Sequence, residues 1–209
     1  MGRYTRRTWL LGAAAASVAA SLPGKARASI PAAITGDPGF RAWTAQQGAG
    51  GLPLQQIVET GAGAQRLGAW LDRRPTVLAL WASWCAPCLI EKPHQAALAQ
   101  RLIDAGAATR ILALQAYDQE DVDLADARWM LDRIGARALP LARASAAAEA
   151  AFLRVFGARD NTRATLPCVF LIGGDGLELG RAIGPMHGVD GRSDYWQDEA
   201  TFAFLSRLT

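Results

Sequence analysis

Trp81-Ala82-Ser83-Trp84-Cys85-Ala86-Pro87-Cys88 is the stretch that decides how the rest of this sequence is interpreted. It continues the apolar run TVLALW at 76–81, which predicts a buried central strand. Residues 87–105 then show helical spacing, so Cys85 falls where a helix begins. The unpaired backbone N–H groups and the helix dipole at that position stabilise a thiolate, the reactive form of cysteine. Pro87 suits the first turn, and Cys88 lies one turn inward, where it can form a disulfide with Cys85 and is more deeply buried.

Two cysteines separated by two residues leave three uses open. A structural zinc site would need a second pair of ligands, and Cys168 with His94 or His187 would form only an irregular set. A purely structural disulfide would be unusual here, because it would close a loop of only two residues at a strand–helix junction. The pattern therefore favours a redox-active dithiol and predicts no metal site.

The chain around the two cysteines alternates between strands and helices. We predict further helices at 64–71, 122–134, 145–156 and 198–208, and further strands at 110–117, 139–142, 168–172 and 178–183. The strand at 139–142 is expected at an edge of the sheet, and Asp198 is expected to cap the last helix. Residues 29–51 are expected to form a loosely packed lead-in with a short helix near 40–45. This order implies an α/β fold with a central mixed sheet flanked by helices.

Residues 1–28 are typical of an export signal. The basic start contains Arg6-Arg7, an apolar stretch of 14 residues follows from Trp9 to Leu22, and Ala26-Arg27-Ala28 resembles a cleavage site before Ser29. The paired arginines favour the twin-arginine route. The apolar stretch is shorter than the ~20 residues that span a bilayer, although an uncleaved anchor remains the alternative. We therefore expect a periplasmic protein with no transmembrane span in the mature chain.

Size and charge narrow the possible functions further. The 209 residues are 51% hydrophobic, which suits one domain, here predicted at 52–209. Residues 1–28 hold five basic residues and no acid, so 17 of the 22 basic residues remain against 19 acidic ones. The basic character therefore belongs to the leader and gives little support to nucleic-acid binding. Three tryptophans, Trp43, Trp70 and Trp129, are predicted to be core or partly buried residues.

The motif and its continuation, Leu89-Ile90-Glu91-Lys92-Pro93, resemble the TlpA/ResA-like branch of exported thioredoxins, whose motif reads C-x-P-C-x-x-E-x-P. The extra strand–helix unit at 139–156 is similar to the central insertion of that branch. Thr165-Leu166-Pro167 resembles the cis-proline loop of the family. The resemblance covers about residues 52–209 and implies a thioredoxin fold and a thiol–disulfide oxidoreductase with no organic cofactor.

The resemblance also implies roles for single residues. Cys85 and Cys88 would be the catalytic pair, and Pro167 would be cis, beside the pair. Trp84 and Leu166 would line the surface on which an extended substrate segment binds.

Glu91 is the candidate proton acceptor for the site. Many thioredoxins carry a buried Asp in the strand before the motif, but Ala79 stands at that position here. Glu91 follows Cys88 by three residues, so a helix places the two on neighbouring faces. We hypothesise that Glu91 takes the Cys88 proton; a solvated surface glutamate is the alternative.

The family resemblance implies a reductase of exported protein disulfides, of the kind that serves cytochrome c or copper-centre biogenesis. A membrane thiol donor would re-reduce it. Two other functions stay open: an oxidase that donates disulfides, and a copper metallochaperone that uses Cys85 and Cys88 with Met186 or His187. Cys168 is predicted to be a buried core thiol. The aromatic residues of 184–197 are predicted to pack locally rather than to bind a partner.

Overall fold

A computed structural model describes residues 32–45, 51–118, 122–156, 165–186 and 195–209. The strands are β1 Thr44–Ala45, β2 Ile57–Thr60, β3 Gly63–Arg66, β4 Thr76–Trp81, β5 Arg110–Gln115, β6 Leu141–Ala144, β7 Cys168–Ile172 and β8 Glu178–Ile183. The α-helices are α1 Ala32–Thr35, α2 Leu67–Leu71, α3 Ala86–Asp104, α4 Leu124–Arg133, α5 Ala146–Val155 and α6 Glu199–Ser206. Single-turn 3-10 helices span Pro38–Phe40 and Tyr195–Gln197.

All eight of these strands join one mixed sheet in the order β1-β8-β7-β4-β5-β6-β2-β3. Strand β4 pairs parallel with β5 and antiparallel with β7, and β5 pairs parallel with β6. The apolar run of β4 is buried along its whole length because it lies at the centre of the sheet, with helices on both faces. The mixed α/β sheet predicted from the sequence is confirmed.

The alternation of side chains along β4 divides the core in two. Val77, Ala79 and Trp81 face one cluster, which includes residues of α3, α4 and α6. Leu78 and Leu80 face the other, which includes residues of α2 and α5. Both cysteines of the motif belong to the first cluster, so the site lies on the α3 side of the sheet.

Most predicted elements are confirmed within one to three residues, including the hairpin of β7 and β8 and the Asp198 cap, whose side chain accepts the Ala200 N–H. Two predictions about the sheet are wrong. The predicted edge strand at 139–142 is β6, which lies inside the sheet because β2 covers its outer side. The predicted helix at 64–71 begins only at Leu67, since residues 63–66 form β3, the second strand of a hairpin with β2.

The segment before residue 52 differs from the expected loose lead-in wherever it is described. The helix predicted near 40–45 is wrong, because the chain forms a 3-10 turn at Pro38–Phe40 and then β1, which pairs with β8. Phe40 and Trp43 are buried in the α3-side core. Trp70 is half-buried as predicted, but Trp129 is 63% exposed, so its predicted burial is wrong: it lies on the outer side of α4.

Within the described ranges, no helix is both long enough and apolar enough to cross a bilayer. The predicted signal at 1–28 lies outside those ranges.

Candidate active site

The two cysteines form a disulfide at the start of α3, with an S–S distance of 2.04 Å and 5.3 Å between the Cα atoms. Cys85 is the N-cap of the helix, and its Sγ accepts the backbone N–H of Cys88 at 3.3 Å. Cys85 is 3% exposed and Cys88 is fully buried, which is the predicted order. A sulfur anion at position 85 would therefore face the positive end of a 19-residue helix, the arrangement that lowers a thiol pKa.

The loop before the cysteines is held by a residue that the sequence analysis missed, Asp118. The Asp118 carboxylate accepts the Ser83 backbone N–H at 2.9 Å and also the Ser83 hydroxyl. The Gln115 side-chain amide donates to the same carboxylate at 3.1 Å. The signal was available: Asp118 follows β5, and the carboxyl ends of parallel strands meet at one edge of a sheet.

Trp84 presents its indole to solvent beside Cys85. It is 56% exposed, and its indole N–H donates to the Tyr117 carbonyl at 2.9 Å. Tyr117 itself has a positive φ of 63°, which is uncommon for a residue other than glycine. Its backbone N–H donates to Glu149 at 2.6 Å, so the strand–helix unit of β6 and α5 holds the loop that supports Trp84.

The Leu166–Pro167 peptide bond is cis, as predicted. Cys168 opens β7 and pairs with Leu80 near the end of β4, so this loop lies at the same sheet edge as the two cysteines. Pro167 is buried and its carbonyl accepts the Gly184 N–H at 2.9 Å, whereas Leu166 is half-buried and packs against both core clusters. Leu166 therefore has only part of its side chain free for contact with a substrate.

Glu91 is a buried residue, 1% exposed, so the alternative of a solvated glutamate is wrong. Its carboxylate accepts the Met186 backbone N–H and, at 3.3 Å, the Gln95 side-chain amide. Ala79 faces the same core and supplies no ionisable group. Glu91 is thus a buried carboxyl one helical turn from Cys88.

Lys92, which the sequence analysis passed over, is also 1% exposed. Its ammonium donates to Gln95 Oε1 at 2.9 Å. Burial lowers the pKa of Lys92 to about 7, and the charge of Glu91 opposes that shift. Positions 88, 91, 92 and 95 share one helix face, so a polar stripe runs inward from the second cysteine.

Cys168 lies on the other face of the sheet, in the α2 and α5 cluster. It is a free and fully buried thiol, as predicted, and burial raises its pKa to about 12. Because the sheet separates it from Cys85 and Cys88, it cannot complete a metal site with them. In the described part of the chain no three His, Cys, Asp or Glu residues are grouped for a metal, and His187 lies outside that part.

The aromatic residues after β8 pack locally, as predicted for 184–197 where that segment is described. Tyr195 and Trp196 are buried, and the Trp43 indole N–H donates to the Tyr195 hydroxyl at 2.6 Å.

The sequence matches no protein-family model and no curated protein. Solved structures do match. A thiol:disulfide interchange protein of the thioredoxin family from Chlorobium tepidum is 21% identical, with a TM-score of 0.52 over 76% of this chain and 99% of its own. MTB DsbF is 18% identical, with a TM-score of 0.51 over 75% of this chain and 99% of its own. The thioredoxin domain of a thiol-disulfide oxidoreductase from Bacteroides vulgatus is 12% identical, with a TM-score of 0.51 over 66% and 91%. The protein has the thioredoxin fold.

Proposed function

We propose that this thioredoxin-fold protein is a thiol–disulfide oxidoreductase that reduces disulfides in exported proteins. The observation that carries the proposal is the position of Cys85 as the cap of α3, with its sulfur accepting the Cys88 N–H. That hydrogen bond and the helix dipole favour the thiolate that must attack a substrate disulfide. The solved structures of similar fold include one named a thiol:disulfide interchange protein and one named a thiol-disulfide oxidoreductase, which supports the same chemistry.

The reaction needs two exchanges. The Cys85 thiolate attacks one sulfur of the substrate disulfide, which forms a mixed disulfide and releases the other sulfur as a thiolate that takes a proton from solvent. Cys88 then loses its proton and attacks Cys85 Sγ. The mixed disulfide breaks, the second substrate sulfur leaves as a thiolate that takes a proton from solvent, and the Cys85–Cys88 disulfide forms. Two electrons pass from the protein to the substrate, and a thiol donor must return them.

Glu91 is the group that we assign to the proton of Cys88. It is buried on the same helix one turn from that cysteine, and Ala79 leaves this core without an Asp in β4. A positioned carboxylate that accepts this proton makes Cys88 a nucleophile at the moment of the second exchange.

Trp84 and the cis-proline loop are the surfaces that we assign to the substrate. The exposed indole lies next to Cys85, and Thr165-Leu166-Pro167 lies at the same edge of the sheet. An extended polypeptide segment between them would place its disulfide against Cys85, with backbone contacts supplying affinity that is independent of sequence.

Export and electron supply complete the proposal. The basic, apolar and small-residue regions of 1–28 support transport to the periplasm by the twin-arginine route, where a membrane thiol donor would re-reduce the protein. Clients in cytochrome c or copper-centre assembly are the class that the family resemblance suggests.

The test combines two measurements, the trapping of mixed disulfides and the reduction potential of the protein. A Cys88→Ser variant should accumulate mixed disulfides with exported proteins, whereas a Cys85→Ser variant, the matched control, should accumulate none. Equilibration of the wild type with glutathione should give a reduction potential well below that of a strong oxidant at about −120 mV. A reduction potential near that value would instead identify the protein as a disulfide donor. A failure of both variants to trap any protein would contradict the proposal.

A further inference from the structure

The chain has only two lysines among its 22 basic residues, Lys25 in the leader and Lys92 in α3. All other basic positions are arginine. Lysine is thus found after residue 28 at one position only, and that position is fully buried. Lysine differs from arginine in its compact charge and in a pKa that burial can bring near neutrality.

The contacts of Lys92 show what its charge faces. Its ammonium donates to Gln95 Oε1 at 2.9 Å, while the Gln95 amide donates to Glu91 Oε2 at 3.3 Å. The Gln95 side chain therefore bridges the two charged groups: its carbonyl oxygen accepts from the Lys92 ammonium, and its amide nitrogen donates to the Glu91 carboxylate. Glu91 also accepts the Met186 backbone N–H. The two bonds to Glu91 favour an ionised carboxylate, and the bond from Lys92 favours an ammonium.

We propose that Lys92 is a positioning residue of the resolving step: as the buried counter-charge of Glu91, it keeps that carboxylate ionised so that it can take the Cys88 proton. The inference rests on the thiol–disulfide exchange proposed above. An isolated buried carboxylate would instead bind a proton from solvent and lose its capacity as a base. When the proton moves from Cys88 to Glu91, the Cys88 thiolate replaces the carboxylate as the anion beside Lys92, and the net charge of the buried stripe does not change.

The surroundings of α3 supply no competing charge in the described structure. Strands β4 and β7 present Val77, Ala79, Trp81, Val169 and Leu171 to this core. The ionisable side chains on the elements that contact α3 most are Arg110 of β5, Tyr195 of the second 3-10 helix, and Glu199 of α6. On α4, which shares this core, Asp126, Asp132 and Arg133 are exposed, and Arg128 donates to the backbone carbonyls of Arg137 and Leu139. Arg110 donates to backbone carbonyls of α2, Glu199 is exposed and paired with Arg101 of α3, and burial raises the pKa of Tyr195 to about 12. His94, also on α3, contacts Gln197.

The full-length protein allows a direct measurement. With lysine selectively labelled at Cε, Lys25 serves as the internal reference for Lys92 in an NMR titration. Lys92 should titrate several pH units below Lys25, and Glu91→Gln should lower its pKa further because the attracting carboxylate is gone. No response of the Lys92 pKa to Glu91→Gln would overturn the proposal.

The kinetic test is a double-mutant cycle on the resolving step. The rate of resolution of a mixed disulfide with a model peptide is followed against pH in wild type, Glu91→Gln, Lys92→Met and the double variant. Lys92→Met should slow resolution at least tenfold at pH 6 and move the midpoint of the pH profile upward by about one unit or more. It should add nothing to Glu91→Gln, because Lys92 acts through Glu91.

Two measurements keep this test decisive. In a Cys85→Ser background, thiolate absorbance gives the pKa of Cys88 without any turnover, and Lys92→Met should raise it while Lys92→Arg restores it in part. The double variant replaces both buried charges with uncharged groups of similar size and should fold even if Lys92→Met does not. An unchanged Cys88 pKa and a purely additive cycle would assign Lys92 to stability alone. If the wild type resolves no mixed disulfide, the proposed function fails, and the lysine and thiol titrations still decide whether Lys92 and Glu91 are coupled.

Discussion

At the scale of single residues, the geometry of the cysteine pair depends on Asp118. Its carboxylate binds both the backbone N–H and the hydroxyl of Ser83, two residues before Cys85. Asp118→Ala should therefore loosen the loop, lower the rate of disulfide reduction and cost about 1–3 kcal/mol of stability, as expected for lost hydrogen bonds to a charged group. Reduction kinetics and urea unfolding measure both effects.

Asp175→Ala is the matched control, since Asp175 also accepts a backbone N–H, that of Leu177 at 3.0 Å, but in the turn between β7 and β8. Asp175→Ala should leave the reduction rate unchanged. Equal rates for Asp118→Ala and the wild type would mean that the Ser83 loop keeps its position without the carboxylate.

Cys168 gives a second prediction at this scale. It is fully buried on the face of the sheet opposite Cys85, and burial raises its pKa to about 12, so it remains a neutral thiol at pH 8. In the native reduced protein an alkylating reagent should label Cys85 first and leave Cys168 unmodified. Cys168→Ala should keep the exchange rate and cost about 1 kcal/mol for the space left in the core. Rapid labelling of Cys168, detected by mass spectrometry, would contradict its buried position.

The motif predicted the cysteine pair because its spacing is local, and the cis-proline followed from the family resemblance. Asp118 and Lys92 were missed for different reasons. Asp118 acts across the sheet, where only the parallel pairing of β4 and β5 brings it to Ser83. Lys92 is a charged residue, and charged residues are rarely fully buried, so the pattern along α3 gave no reason to place it inside.

At the scale of elements, the buried Lys92 of α3 makes the stability of the folded protein depend on pH. Burial lowers the pKa of Lys92 from its ordinary 10.5 to about 7 in the folded protein. Between these pH values the unfolded chain binds more protons than the folded one, so the free energy of unfolding rises with pH. The oxidised wild type should gain up to about 1.4 kcal/mol per pH unit between about pH 7 and pH 9.

The comparison for this prediction is the Glu91→Gln, Lys92→Met double variant, in which the rise should disappear. Urea unfolding at several pH values measures it. The window ends near pH 9 because Cys168 acts in the opposite direction above its ordinary pKa of 9.0. Parallel pH profiles for the two proteins would mean that Lys92 titrates normally in the folded state.

Elements with a long apolar or helical pattern were predicted well, and short ones were not. Strand β4 has six consecutive buried residues and helix α3 has 19 residues, so each pattern is long enough to be recognised in the sequence. The β2–β3 hairpin was missed because its strands have four residues each and β3 is almost fully exposed, so it has no apolar alternation. Its presence also explains why β6 is interior: β2 pairs with the side of β6 that would otherwise be the edge.

At the scale of the whole molecule, the question is whether the fold begins at residue 52, as the sequence analysis predicts. The segment 32–45 extends the sheet through β1 and buries Phe40 against Phe204 of α6, with ring centroids 6.0 Å apart. The approach is close enough that a Cβ at Gly39 would lie 2.3 Å from the Phe204 Cβ. These contacts imply that residues before 52 are part of the folded unit.

Phe40→Ala in the full chain tests this directly. If the segment belongs to the core, the change should lower the stability by about 3 kcal/mol, the usual cost of removing a buried phenylalanine ring. Trp129→Ala is the control, since that indole is 63% exposed and its loss should change the stability by less than about 0.5 kcal/mol. Urea unfolding of both variants gives the comparison. Equal stabilities would return the boundary to residue 52. The expected difference would show that segment 32–45 is packed on helix α6, which contacts α3 and so supports the cysteine pair.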